Sequence, residues 1–251
     1  MLVDVTSSPR RSPTPIIGVH LDLKGMNFRP AYIPHFLGLS ASSPFWHGRD
    51  TGLASSRSKV FENLPTAGLP YRLDDWSEFE QFMETLVNAQ AITSIREVWW
   101  DIRPHPDFGT VELRICDGIP TLREVAGLAA LAQSLVEWFD TRLDRGETLP
   151  VLREWVIRMN KWRAARYGID AEIIGDDKGT QILLAQSVRE LIEELSPVAA
   201  RLGCLDELRS NLAVVDHGPS YLRQRRVLAA GGSYAGVVDS LINELETDRL
   251  S

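Results

Sequence analysis

The sequence predicts an α+β fold: an antiparallel sheet with one polar face, packed against several helices. Two observations carry this. Between Trp99 and Asp117, two segments that alternate apolar and polar residues flank a turn through Pro104–Gly109, and side chains two apart in a strand share a face. After Asp117 the apolar spacing becomes helical, so strands gather before that residue and helices after it.

Taken from the start, Met1–Pro15 is rich in Ser, Pro and Arg and reads as a disordered segment, leaving residues 16–251 as one domain without a convincing linker. Ile17, Val19, Leu21 and Leu23 alternate, which predicts an edge strand over Ile16–Leu23. Pro30–Leu39 is expected to be a short helix. It leads into the Ser40–Arg57 loop, whose Gly, Ser and Pro content suits an ordered binding loop as well as an ordinary connection. Asp75 and Glu78 have capping-box spacing ahead of Phe79, Phe82, Met83, Leu86 and Val87.

In the hairpin, Trp100, Ile102, Val111, Leu113 and Ile115 fall on the core face. Asp101 and Arg103, then Thr110, Glu112, Arg114 and Cys116, fall on the polar one. Thr121 and Glu124 repeat the capping signal before a long helix whose stripe runs from Val125 to Phe139. Pro150–Tyr167 reads as a helix closed by Gly168, and Gln181–Arg201 as an amphipathic helix with Glu190, Glu193 and Glu194 outward. Pro219–Ala230 and Tyr234–Thr247 complete the helical half.

With 251 residues and 44% hydrophobic content the chain can bury a sizeable core, and its net charge of −7 argues against a general nucleic-acid or anionic-membrane surface. Two cysteines are too few for a disulfide framework. There is no apolar run of membrane-spanning length and no signal-peptide core, which makes the cytoplasm the expected location. The five histidines lack zinc-ligand spacing, and neither a P-loop nor a Rossmann glycine pattern occurs. Glu112 and Arg114 are the pair that suggests chemistry, although charges on an outer strand face are ordinarily just solvated.

The wording around that pair resembles a known family. W-D-I-R-P with G-T-x-E-x-R-x-x-D, the Ser40–Ser58 block (S-A-S-S-P-F-W, G-R-D-T-G, S-S-R-S), N-K-W-R-A-A-R-Y-G over Asn160–Gly168, and the C-terminal stretches Gly218–Val227 and Val237–Leu241 follow one another in order. Together they are similar to the glutamate–cysteine ligase type 2 family, the ATP-dependent carboxylate–amine ligases with a glutamine-synthetase-like sheet. The likeness runs from about Ser40 to Leu245, and four ordered motifs are far more specific than one. The family's further N-terminal region, with a G-x-E-x-E strand, has no counterpart before Ser40, so the chain looks like the larger C-terminal portion of such an enzyme.

The resemblance implies ATP and Mg²⁺ as cofactors, with Glu112 a metal ligand and Arg114 the catalytic contact to the transferring phosphate. It further implies Arg57 and Arg103 on substrate carboxylates, and Asn160 and Arg166 on the nucleotide side, positions equally suited to helix caps and surface groups. The expected partners are small-molecule amino acids or amines, with neither nucleic acid nor membrane. An unpaired edge near Val98 adds the expectation of a homo-oligomer. Two functions follow: a ligase joining the γ-carboxylate of glutamate to an amine such as that of cysteine, or a non-catalytic homologue acting as a binding or interaction protein.

Overall fold

The structure, a computed structural model, describes residues 2–3, 29–73, 75–106, 110–148 and 151–251. Its centre is helix α1 (Ile33–Ser40), reached through a short 3-10 turn at Arg29–Tyr32 and buried at all eight positions. A helix that is apolar nearly all round has no solvent face to spare, so the others pack about it. α4 (Leu122–Asp144), α5 (Glu154–Tyr167) and α6 (Leu184–Leu202) each contact α1, and α7 (Leu205–His217) lies against α4 and α6. Leu37, Leu131, Leu184, Ile192, Leu195 and Leu208, all essentially without solvent contact, form the middle of this core.

The sheet covers one side. β4 (Ile102–His105) and β5 (Thr110–Leu113) pair antiparallel with Ile102 opposite Leu113 and Arg103 opposite Glu112, while β1 (Leu2–Val3) lies along the other edge of β5. Trp100, Ile102, Val111, Leu113 and Ile115 are buried, as the alternation predicted. Asp101 and Arg103 are buried too, against the expectation of a half-solvated face, because both are consumed by ion pairs. The strand beside β5 is Leu2–Val3, inside the stretch read as disordered; the rest of that stretch and the Ile16–Leu23 strand lie outside the described residues.

A smaller satellite core gathers Leu73, Phe79, Ile92, Val98 and Trp100 around α3 (Trp76–Asn88), with Phe82 stacked on Trp100 at 5.0 Å. The two capping signals are real: the Asp75 side chain accepts from the Glu78 amide at 2.9 Å, and Thr121 from that of Glu124 at 3.1 Å. Gly168 closes α5 at φ +59°, where an added Cβ would stand 2.4 Å from the Tyr221 ring. Conformation and space both demand glycine there.

Other expectations are corrected. Gln181–Leu183 is strand β7, paired with β6 (Glu172–Ile174), and the helix begins only at Leu184, because Leu184 donates to the Ala171 carbonyl rather than into a preceding turn. α7, which the periodicity reading passed over, follows Gly203, whose left-handed conformation (φ +75°) ends α6. α8 (Ser220–Ala229) and α9 (Tyr234–Thr247) close the chain. They are joined to α4 by Arg223, buried between Glu124 at 3.0 Å and Glu244 at 2.8 Å. Trp162 is 43% exposed in a stripe with Trp155 and Met159 on α5. No helix among the described residues is long and apolar enough to cross a membrane.

His35 sits inside α1 with its Nε2 2.9 Å from the Ser187 hydroxyl, and burial pulls its pKa from 6.5 to about 4. The unfolded chain therefore takes up a proton below about 6.5 that the fold refuses until about 4. Stability is complete above that window and declines through it as pH falls, by up to roughly 3 kcal/mol. Denaturant midpoints of wild type and His35→Gln at pH 7, 5.5 and 4.5 check this; the variant should show the flatter profile.

Candidate functional site

Polar side chains converge where β5 runs out into Arg114–Ile119, around a cavity of about 450 Å³ whose lining joins the polar Arg57, Glu112, Arg114 and Asp117 to the apolar Leu113, Ile119, Val125 and Leu128. Glu112, Arg114 and Cys116 reach this cavity from the polar face while Val111 and Ile115 turn into the core, and the buried Leu113 also borders the cavity.

Asp117 builds the cavity's far wall. It is buried, and its carboxylate accepts from the Ser42 amide at 2.9 Å, the Ser43 hydroxyl at 2.7 Å and the Ser55 hydroxyl at 2.9 Å. The serine-rich loop is thereby fastened to the end of the sheet. That fastening delivers Arg57, which donates to the carbonyls of Arg114 at 3.0 Å and Ile115 at 3.3 Å and lies 3.6 Å from Asp117.

Glu112 is gripped by two guanidiniums. Arg103 donates to Oε2 through Nε at 3.0 Å and through a second nitrogen, and Arg114 donates to Oε1 at 2.8 Å. Partial burial opposes the carboxylate charge, but the hydrogen bonds and charges of Arg103, then Arg114, outweigh it and hold the pKa below the usual value. Glu112 is therefore ionised at neutral pH. Arg114 also lies over the Trp99 ring at 5.2 Å, and its buried Nε has no hydrogen-bond partner among the described residues.

The structure thus brings together Glu112, Arg114 and Arg57, and it separates the others. Arg103 is buried and largely committed: besides Glu112, one of its terminal nitrogens serves the carbonyls of Ile95 at 2.8 Å and of Arg96 and Val98 at 2.9 Å. Asn160 brackets the Ile174 backbone with two 2.8 Å hydrogen bonds, so its amide is committed to holding β6 rather than open to a nucleotide. Arg166 is not among the cavity's lining residues; it stacks on Tyr167 at 5.4 Å and crowds Gly52, where a Cβ would come within 2.9 Å of its guanidinium.

Sequence reasoning passed over Lys161, although it stands inside the N-K-W motif. It is buried between Asp101 at 2.5 Å and Glu62 at 2.6 Å. It also named no role for Asp117, for which the D of E-x-R-x-x-D was the available signal. Burial raises the Cys116 thiol to about 11, so it stays protonated and is a poor nucleophile at neutral pH.

The described residues do not make a magnesium site. Both Glu112 oxygens accept from arginines, and no group of three or more His, Cys, Asp or Glu among the described residues could hold a metal ion. What the arrangement offers is two fixed guanidiniums, Arg57 and Arg114, that face one cavity beside Glu112 and Asp117 and can meet an anion with N–H groups.

Residues 22–244 match the profile of the glutamate–cysteine ligase family 2. A protein of Frankia alni provisionally named glutamate–cysteine ligase 2-1 is 59% identical over 225 residues, covering 89% of this chain and 59% of the relative. Its namesake in Frankia casuarinae is 55% identical over 244 residues, covering 93% and 64%. A provisionally named glutamate–cysteine ligase 2 of Thermobifida fusca is 56% identical over 219 residues, covering 87% and 55%. The chain therefore spans roughly six tenths of the length of these relatives. Among solved structures, the fold is similar to that of the glutamate–cysteine ligase of Francisella tularensis, crystallised in complex with AMP. There the TM-score is 0.62 at 13% identity, over 90% of this chain and 57% of that one.

Asn160→Ala removes both hydrogen bonds to Ile174 and leaves two backbone groups without partners. The expected loss is ~1–3 kcal/mol of stability, read from chemical denaturation, as for buried polar groups left unsatisfied.

Proposed function

The chain belongs to the glutamate–cysteine ligase family 2, and from that membership we propose that it takes part in an ATP-dependent carboxylate–amine ligation. The substrates are the γ-carboxylate of glutamate and the amine of cysteine or a similar compound. The observation that carries this reading is the cavity in which Arg57 and Arg114 stand beside an ionised Glu112.

The chemistry follows from the leaving group. A carboxylate has no oxygen that leaves readily, so one of its oxygens attacks the γ-phosphorus of ATP, the bond to the bridging oxygen breaks, and ADP departs. The amine nitrogen then attacks the carbonyl carbon of the acyl phosphate. The C–O bond to phosphate breaks, inorganic phosphate leaves, and the nitrogen gives up its proton to solvent or phosphate.

In both steps negative charge gathers on phosphoryl oxygens. Arg114, whose side chain lines the cavity, is assigned to those oxygens, and Glu112 and Trp99 hold its plane in place. Arg57 is assigned to a carboxylate of the substrate. The magnesium ion that assists such transfers needs oxygen ligands beyond Glu112, so no step is routed through it here. Ile119, Val125 and Leu128 give the cavity an apolar end for the less charged part of the acceptor amine.

Incubation with ATP, Mg²⁺, glutamate and a panel of amines, followed by phosphate release and product mass, tests the reading. An amine-dependent product is expected. Its absence, both from this chain and from a relative-length version, would defeat the reading and favour a binding protein. In the active form, Arg114→Ala should lower kcat by about a hundredfold or more, the scale reached when an oriented donor to a developing anion is lost.

A further inference from the structure

We propose that Lys161 is a positioning residue for this site: paired with Asp101, it fixes the backbone bulge that aims Arg114 and presents the carbonyls holding Arg57, an inference that rests on the ligase reading above.

The argument begins with burial. The side chains of Lys161 and Asp101 are 3% and 7% exposed, and the ammonium lies 2.5 Å from Asp101 and 2.6 Å from Glu62, whose other oxygen meets Lys59 at 2.7 Å. Two cations and two carboxylates thus close a neutral cluster between α5, α2 (Ser56–Phe61) and the approach to β4. The Lys161–Asp101 pair at its centre is desolvated and has one good geometry, because either member that moves leaves a buried charge behind, while Lys59 and Glu62 stand at the partly exposed edge.

Asp101 passes that geometry to the site through its backbone. Its amide donates to the Gly68 carbonyl at 2.7 Å, and its carbonyl accepts from two consecutive amides, Arg114 at 2.8 Å and Ile115 at 3.2 Å. Two residues against one is a bulge, which bends the strand and redirects the side chain at that point. The redirected residue is Arg114. The carbonyls of the same two residues are the ones Arg57 holds. A displacement of Asp101 therefore reaches both cavity arginines at once, without Lys161 touching the cavity.

The test is a double-mutant cycle against Arg114. Asp101→Asn with Lys161→Met removes both charges and strands neither. It is expected to lower kcat about tenfold to a hundredfold, with the amine KM changed less than about threefold, as a small misplacement of a catalytic group does. In an Arg114→Ala background the same pair should cost less than about twofold, because no guanidinium remains to be aimed. Exchange of the Arg114 and Ile115 amides, followed by mass spectrometry, should quicken at least about tenfold while amides in α4 and α6 keep their protection.

If the double variant fails to fold, Lys161→Arg, which keeps the charge on a different head group, is read the same way and should show the same effects in smaller degree. Full additivity with Arg114→Ala, or unchanged exchange at Arg114 and Ile115, overturns the proposal. A wild type that yields no product with any amine defeats the ligase reading instead, and the exchange measurement then decides the bulge by itself.

Discussion

One carboxylate joins the parts of this molecule that chemistry needs together. Asp117 takes hydrogen bonds from the adjacent Ser42 and Ser43 and from Ser55 further along the same loop, all drawn to a single acceptor where the sheet ends. Ser42 in turn accepts from Gln224, whose amide also reaches Ser220, and the Tyr221 amide donates to the Ala41 carbonyl. The loop is therefore held from the sheet on one side and from α8 on the other. A buried carboxylate with this many donors has its desolvation cost offset only while all of them are present, so loop, sheet end and helix α8 order as a set.

Most of the charge near the site is already paired. Arg103, Lys161 and Arg223 are buried cations, each meeting two carboxylates or a carboxylate and several carbonyls. Buried pairs of this kind add little net stability compared with apolar packing, but removing one member is costly. This divides the arginines by role. Arg103 and Arg223, buried against carboxylates and carbonyls, hold the frame; Arg57 and Arg114 face the cavity.

The sequence made the hairpin legible because alternation is a local rule: Val111, Glu112, Leu113 and Arg114 declare their faces without knowledge of anything distant. The capping boxes at Asp75 and Thr121 were equally local. The structural engagement of Arg103 and Asn160 was not legible because their partners include backbone carbonyls and amides of the turn at Ile95–Val98 and of Ile174, groups that every residue carries and no motif marks. α7 was missed because its buried face is slight, only Leu208, Asn211 and Val214. The start of α6 was misplaced because an apolar run such as Gln181–Leu184 suits a strand and a helix alike.

The satellite around Trp100 has only five fully buried apolar residues, and Arg103 is its clasp, one nitrogen in the turn at Ile95–Val98 and the rest on Glu112. Small cores of this size are the units that open first in a native protein. Each such opening frees the Arg103 nitrogen that the Ile95–Val98 turn holds, and so relaxes one anchor of the guanidinium that grips Glu112. Local breathing of the satellite and the charge state of the site are thus thermodynamically linked, and whatever orders the one tightens the other by the same free energy.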